Sequence, residues 1–396
     1  MIDINQHRYL KYLFFGSLYV SEGIEFSLAT LIVSFYLSDK GIPISTVTFV
    51  AAASMIPWTL KFLWGGIVDY FIKYGRKTFI ILGGLIGGFS LFVLIFIDPA
   101  VSLIPFAIFL IISHAGVALI DVSADAYAIQ TSTEEERGKI NGAMYAGLFF
   151  GSASSLLLLS FIASNFGYNS AFIASGILIL LIIIFPFFVK EINIIKKRKK
   201  IGSILIKEYK KRNTQIMSFL APISSISGGI MYFIVPLYVK DVLNLSLSET
   251  GILASLFPVT MGVGSIIGGF ITDKMGRKFA LYLFFGGSSI VFASLALGSD
   301  LFIFSIIYGA VGLLIGGYHA AICALIMDIT NPKVAATEYS IMTSLFNVGE
   351  WAGGAFGGSL VAAVGYTRMF LFSGWFFGPP LLLLYFIKYK VSKKKI

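Results

Sequence analysis

A chain of 396 residues that is 57% hydrophobic and 13% charged, with a mean hydropathy of +0.88, carries more apolar surface than a soluble fold of its size can bury. Lipid must therefore be the solvent for most side chains, which excludes an ordinary soluble enzyme. The net charge of +10 would suggest nucleic acid in a soluble protein, and the single Cys323 excludes a disulfide or a cysteine-cluster metal site.

Apolar runs of roughly 20 residues or more predict twelve membrane-spanning helices. In the first half they cover 9–38, 45–71, 78–97, 101–130, 138–163 and 168–189; in the second, 214–240, 248–272, 279–297, 301–329, 336–364 and 366–388. The expected fold is an all-α membrane protein with both termini cytoplasmic. Residues 1–189 and 214–396 form two six-helix bundles, joined by a linker over 190–213. The linker holds five consecutive basic residues, 196–200, followed by Ile201, Ile204 and Leu205. That pattern predicts a short amphipathic helix on the anionic inner leaflet. Cytoplasmic termini leave Lys40, Lys240 and Arg368 outside and Lys61 within a span, so the remaining 26 of the 30 Lys and Arg lie inside. The positive charge is thus a topology signal for a multi-pass protein of the cytoplasmic membrane, with no nucleic acid implied. The first span is too long for a signal-peptide core and is read as retained.

Two loops repeat. Gly269-Phe-Ile-Thr-Asp273-Lys274-Met-Gly276-Arg277-Lys278 follows the eighth span, and Gly65-Gly66-Ile-Val-Asp69 with Lys73-Tyr74-Gly75-Arg76-Lys77 follows the second, with a three-residue insertion after Asp69. Glycine allows close helix approach and a left-handed turn, the Asp caps or pairs near a helix end, and the basic pair anchors the turn at the leaflet. Gly65, Asp69, Arg76, Gly269, Asp273 and Arg277 are therefore expected to form a cytoplasmic gate. Asp125, expected to hold Arg76 or Arg137, completes it. Parallel repeats of this kind point to a transporter built from two related bundles.

The doubled turn resembles the loop signature of the major facilitator superfamily. Within it, Pro57-Trp-Thr-Leu-Lys61-Phe-Leu-Trp64 and Asp121-Val-Ser-Ala-Asp125-Ala-Tyr-Ala resemble the anhydromuropeptide permeases and acetyl-coenzyme A transporters. The resemblance implies a central cavity lined by spans 1, 4, 7 and 10, with spans 2, 5, 8 and 11 along the interface.

Ionisable groups inside spans cost a few kcal/mol each and usually face a cavity or a partner. Glu22 and Glu25 lie three residues apart on the first span; His114, Asp121 and Asp125 fall within about 20° of one line on the fourth. The superfamily packing would turn both sets to the cavity; the alternatives are that Glu22 and Glu25 hydrogen-bond Ser or Tyr of a neighbouring span and that His114 is a satisfied interior histidine. Lys61 lies close in depth to Asp121 and can hold it ionised. His319, beside Tyr318, either faces the cavity or is structural, and Glu350 either pairs with Lys61 or hydrogen-bonds within its helix. Acids sharing a poorly solvated cavity cannot all ionise cheaply, which is the basis for expecting proton coupling, with sodium left open. Glu25 and Asp121 are read as proton carriers and Glu22 as a substrate contact.

Four acids, one base and nearby aromatics (Tyr19, Phe26, Tyr127, Tyr232, Tyr308, Tyr318) favour a neutral or cationic organic solute. No enzyme, cofactor or metal is expected, since three dispersed histidines and one cysteine supply neither a nucleophile–base set nor a metal cluster. The chain is expected to act as a monomer. A multidrug or cation exporter of the same fold, and a non-transporting receptor on a transporter scaffold, remain alternatives. Direction of transport stays open.

Overall fold

The computed structural model describes residues 3–4, 6–131, 134–191, 201–298, 300–331 and 335–387; the side chains of Asp69, Arg137 and Asp273 lie outside that description. Apart from an isolated bridge at Val189, the described secondary structure is helical. The first half contains α1 (Arg8–Ser27), running through a π-helical turn at Leu28–Val33 into α2 (Ser34–Asp39). It continues with α3 (Ile44–Ala53), α4 (Ile56–Thr59), α5 (Lys61–Tyr70), α6 (Arg76–Leu94), α7 (Leu103–Thr131), α8 (Glu134–Phe166), α9 (Tyr168–Ile182) and α10 (Ile184–Phe188). The short α11 (Ile201–Glu208) precedes α12 (Arg212–Asp241), α13 (Leu247–Met275), α14 (Arg277–Ser294), α15 (Leu301–Ile329), α16 (Ala335–Trp375) and α17 (Gly378–Phe386).

Ten segments among the described residues are long and apolar enough to cross a membrane, one of them the 50-residue stretch Thr337–Phe386. That stretch bends at Gly365, whose φ of 78° lets α16 turn back without a loop. The region expected as one second span, 45–71, is instead three pieces. Pro57 lies in the first turn of α4, Leu60 leaves helical geometry, and the carbonyls freed there find donors. Trp64 Nε1 donates to Pro57 O at 3.0 Å, and Asn347 Nδ2, from the other half of the chain, donates to Trp58 O at 3.0 Å. A break in lipid is tolerated when its polar groups are re-satisfied in this way.

Buried apolar side chains fall into two large clusters. One draws almost wholly on residues 4–189, the other on residues 217–387, and a small third one, Ala51, Ala52, Phe233 and Ala355, bridges them. Large apolar residues such as Phe89, Phe150, Ile266 and Phe270 remain exposed on the outer faces, as lipid contact requires. Within each half the helices touch backbone to backbone. A Cβ on Gly147 of α8 would lie 2.0 Å from the carbonyl oxygen of Gly16 on α1.

The halves repeat at both ends. Gly75 (φ 81°, ψ 154°) starts α6 and Gly276 (φ 92°, ψ 153°) starts α14; we call this the basic end. Here Lys278 Nζ donates to Tyr385 O at 3.5 Å, as Lys77 Nζ donates to Val189 O in the first half. At the far end, Tyr36 packs on Phe106, Tyr168 and Phe172, and Tyr238 packs on Phe304, Tyr366 and Phe370. Each cluster ends on an aspartate: Tyr168 donates its hydroxyl to Asp39, and Tyr366 donates to Asp241 at 2.6 Å.

The amphipathic α11 docks through Glu208, which pairs with Lys211 at 2.5 Å and accepts from Asn331 Nδ2 at 2.6 Å. These two donors hold its carboxyl below the usual carboxylate range. A depressed folded-state pKa means this docking is fully present at neutral pH and is lost as pH falls through that pKa. Amide exchange over 201–211, corrected for intrinsic rates, should therefore rise as pH drops into the carboxylate range. Glu208→Gln should flatten this response.

Packing predicts a second outcome. Gly147→Val must push α8 off α1, which overpacking costs place at about 1–3 kcal/mol, lowering the melting temperature of the solubilised protein by several degrees. Gly142→Val, where a Cβ meets nothing within 4 Å, should leave it nearly unchanged.

Candidate functional site

The break before α5 decides where Lys61 goes. It opens α5 with its side chain turned toward α7, Nζ standing 2.5 Å from Asp121 Oδ2. Asp121 is 2% exposed and the Lys61 side chain 20%, so the pair lies at the wall of a cleft. The ring of Trp58 lies 5.1 Å from Nζ and adds a cation–π contact. One turn further along α7, Asp125 Oδ1 accepts from the Tyr19 hydroxyl of α1 at 2.6 Å. Glu22 is half-buried with no direct partner among the described residues.

Glu25 and His114 do not face the cavity with the rest of their sets but take the alternatives left to them, a serine of a neighbouring span for Glu25 and an interior position for His114. Both are fully buried inside the first half. Ser113 Oγ, which carries one proton, lies in donor range of both Glu25 Oε1 and the Gly87 carbonyl (2.9 Å). His114 Nδ1 is 3.0 Å from Leu110 O and 3.1 Å from Glu25 Oε2, without a hydrogen-bonding angle to the latter. Its Nε2 is 3.4 Å from Ser54 Oγ on the broken segment. The physical reason is rotation and depth. Residues three apart on a helix diverge by about 60°, and His114 lies about 10 Å along α7 from Asp121.

Two pairings are also corrected. Lys61 is engaged by Asp121, and Glu350 makes no ion pair with it; Glu350 belongs to a stretch of α16 pressed so closely on α12 that a Cβ on Gly229 would lie 2.0 Å from its carbonyl oxygen. Asp125 is held by Tyr19 and not by Arg76, whose Nε donates to Gln130 at 3.2 Å and whose backbone N–H donates to Glu191 at 2.5 Å. Arg277 forms the matching bridge in the second half, Nε to Asp328 Oδ2 at 3.0 Å. Each bridge ties the turn after one helix to the end of the next but one. Gly65 meets only Val122 and Gly269 meets nothing within 4 Å. The expected partners Asp69, Asp273 and Arg137 lie outside the described side chains. His319 places its ring edge-on to Phe346 at 5.8 Å.

The cleft has a direction. At the far end the halves are in contact: Gly251 presses on Ser160 and Leu156, Gly358 on Ile44, Ser45 and Thr48, and Gly354 on Ala52. Phe26 meets Tyr232 edge-on at 4.5 Å across the halves. At the basic end, Gly142 on α8 and Gly269 on α13, the two helices that meet at Gly251, have nothing within 4 Å of a Cβ position, and neither does Gly66 on α5. The charged site therefore opens toward the basic end. Trp58 Nε1 and Trp351 Nε1 are buried without a hydrogen-bond partner. A separate cavity of about 370 Å³ lies between α1, α8 and α9, lined by Ser17, Val20, Ser154 and Leu158 among others, and holds none of these charges. Among the described residues no three His, Cys, Asp or Glu converge to hold a metal ion.

Sequence reasoning missed Trp351, Asn347 and the far-end Tyr–Asp contacts. The last were signalled by a second repeat, Gly-Tyr-x-x-x-Phe at 167–172 and again at 365–370.

The sequence profile of the Major Facilitator Superfamily matches residues 15–227 and 216–396, so the chain belongs to that superfamily. The Rickettsia conorii (strain ATCC VR-613 / Malish 7) protein named "Putative transporter AmpG 4" is 24% identical, across 90% of this chain and 91% of that protein. Among solved structures, a bacterial homologue of the human lysosomal transporter Spinster, in an inward-facing and unoccupied conformation, superposes with a TM-score of 0.76 at 14% identity, covering 96% of this chain and 94% of that one. A D-xylose–proton symporter superposes at 0.75 and 16% identity, covering 95% and 97%. The protein is a multi-pass inner-membrane transporter and not an enzyme.

The ion pair at the site gives a third prediction. Removing one partner strands a buried charge, at about 3–5 kcal/mol, whereas removing both does not. Lys61→Met and Asp121→Asn should each lower the melting temperature clearly, and the double variant should return most of the loss. Additive losses in the double variant would show that the pair does not couple.

Proposed function

We propose that this protein carries a small neutral or cationic organic solute by alternating access, with the proton gradient as its driving force. In this reading twelve passes form two six-helix bundles, 1–189 and 214–396, joined by 190–213. Both termini and the basic end face the cytoplasm. The excess of Lys and Arg at that end supports the orientation. The passes follow from the ten apolar segments, with Thr337–Phe386 counted twice about Gly365 and the broken α3–α5 counted once.

The observation that carries the reading is the Lys61–Asp121 ion pair inside the spans, with Asp125 one turn further on and Glu22 on α1 left without a direct partner among the described residues. A solute with a cationic group can engage Glu22 while Trp58 and Tyr232 supply aromatic faces. Glu25 suits a proton holder. A proton on its Oε1 lets it donate to Ser113 while Ser113 donates to Gly87 O, so the Ser113 hydroxyl and Glu25 Oε1 are both matched in that dry cluster. An anionic Glu25 would leave Ser113 with two acceptors for one proton. Asp121 is the second carrier, released when a proton or solute competes for Lys61. Arg76, Arg277, Gly65, Gly269, Asp69, Asp273, Asp125 and Arg137 act at the cytoplasmic ends when the cleft closes there.

The test is transport into proteoliposomes of a panel of neutral, cationic and anionic solutes, under pH gradients of either sign. Accumulation should depend on the gradient. Glu25→Gln and Asp121→Asn should each lose at least tenfold of it, while exchange of labelled for unlabelled solute survives in at least one. Gradient-driven accumulation intact in the Glu22, Glu25 and Asp121 triple neutral variant would end the reading.

A further inference from the structure

The far ends of the two halves repeat closely, but one charge breaks the repeat. Aligning Tyr36 with Tyr238 puts Asp39 on Asp241 and Ser38 on Lys240. Each aspartate takes a hydroxyl from the tyrosine of its own half, Tyr168 or Tyr366. Lys240 has no counterpart in the first half and does not stay in its own half. Its Nζ crosses to Asp39 Oδ1 at 2.5 Å and to Ser38 Oγ at 2.8 Å, and lies 5.3 Å from the centre of the Phe35 ring. Lys40, next along the first half, is turned away to Asp98 at 2.9 Å. Among the ion pairs between described residues, Lys240–Asp39 is the one that joins the halves.

We propose that Lys240 is a latch that closes the far end of the cleft, engaging the Tyr168–Asp39 clamp when the basic end is open. The geometry fits a latch better than a structural bridge. Asp39 is fixed by Tyr168 within its own half, so the acceptor is ready-made in either orientation of the halves. Lys240 ends α12, the helix whose Tyr232 closes on Phe26 deeper in the cleft. Rocking the halves apart at this end must therefore break one lysine's contacts and leave both tyrosine clamps whole. The pair is half-exposed, with side chains 23% and 45% accessible, so it biases an equilibrium without locking it. The matching Asp241 in the second half has no lysine across from it, which makes the device single-sided.

The inference rests on the alternating-access reading, and the test separates the two. In a Cys323→Ser background, spin labels at Val101→Cys and Leu297→Cys report the far end; labels at Tyr74→Cys and Met275→Cys report the basic end. Lys240→Met should raise the population with a long far-end distance about three- to fivefold, the range an exposed pair can supply, with the basic-end distance shortening to match. Lys240→Arg should stay near the parent. Tyr366→Phe, which removes the equivalent contact inside one half, should leave both distances unchanged. Gly358→Trp is the steric reference, because even a Cβ there would stand 2.1 Å from Thr48 Oγ1 across the halves. If Gly358→Trp opens the far end and Lys240→Met does not, or if Tyr366→Phe acts like Lys240→Met, the latch is overturned. If Gly358→Trp also leaves both distances fixed, the halves do not rock, and the alternating-access reading fails with it.

Discussion

The site depends on one buried ion pair, Lys61 with Asp121, and the pair depends on a broken helix. A lone ammonium or carboxylate at this depth would cost several kcal/mol, and neither residue is far enough from lipid to avoid that by exposure. Together they offset most of it, and Trp58 adds a face to the ammonium. The break at Pro57–Leu60 starts α5 at Lys61, turned toward α7, and Trp64 and Asn347 take up two of the carbonyls freed there. Since Asn347 comes from the other half, the geometry of the pair is tied to how the halves sit. That is the link a carrier needs between its charged site and its rigid-body motion.

The parts of this arrangement that sequence could reveal are those written as repetition. The twin turns at Gly75 and Gly276 share one backbone conformation because both need a left-handed start to a helix beside a basic pair. The break in the second span was not legible, and the reason lies in the other prolines. Pro222 and Pro236 sit inside an unbroken α12, and Pro258 inside an unbroken α13. Proline alone does not end a membrane helix; neighbouring donors decide, and one of the two here, Asn347, comes from 289 positions away. The cavity-facing reading of Glu25 failed for a related reason. Sequence gives the angle between Glu22 and Glu25 but not which neighbour fills the 60° between them. Here Ser113 and Gly87 fill it.

The repeat also shows where the two halves have diverged. Aligning Leu103 with Leu301, the starts of two helices of equal length, places Gln130 on Asp328, Asp121 on His319 and Asp125 on Cys323. At the ends the correspondence keeps its chemistry, an arginine bridge at the basic end and a Tyr–Asp clamp at the far one. At the centre it does not: Lys61, Asp121, Asp125, Glu22, Glu25 and His114 all belong to the first half.

That concentration has a mechanical consequence. If both halves carried matched charges, a proton or a solute cation would perturb each alike, and the balance between the halves would scarcely shift. Charge in one half facing aromatic and weakly polar groups in the other makes the central contacts one-sided. Glu350 is the exception, an acid of the second half set in the stretch of α16 that presses on α12. A ligand can shift such an equilibrium only by its difference in affinity for the two states, and one-sided charge supplies that difference where symmetric charge would cancel it. The repeated ends can then stay alike, because they set the two end states, while the unequal centre decides between them.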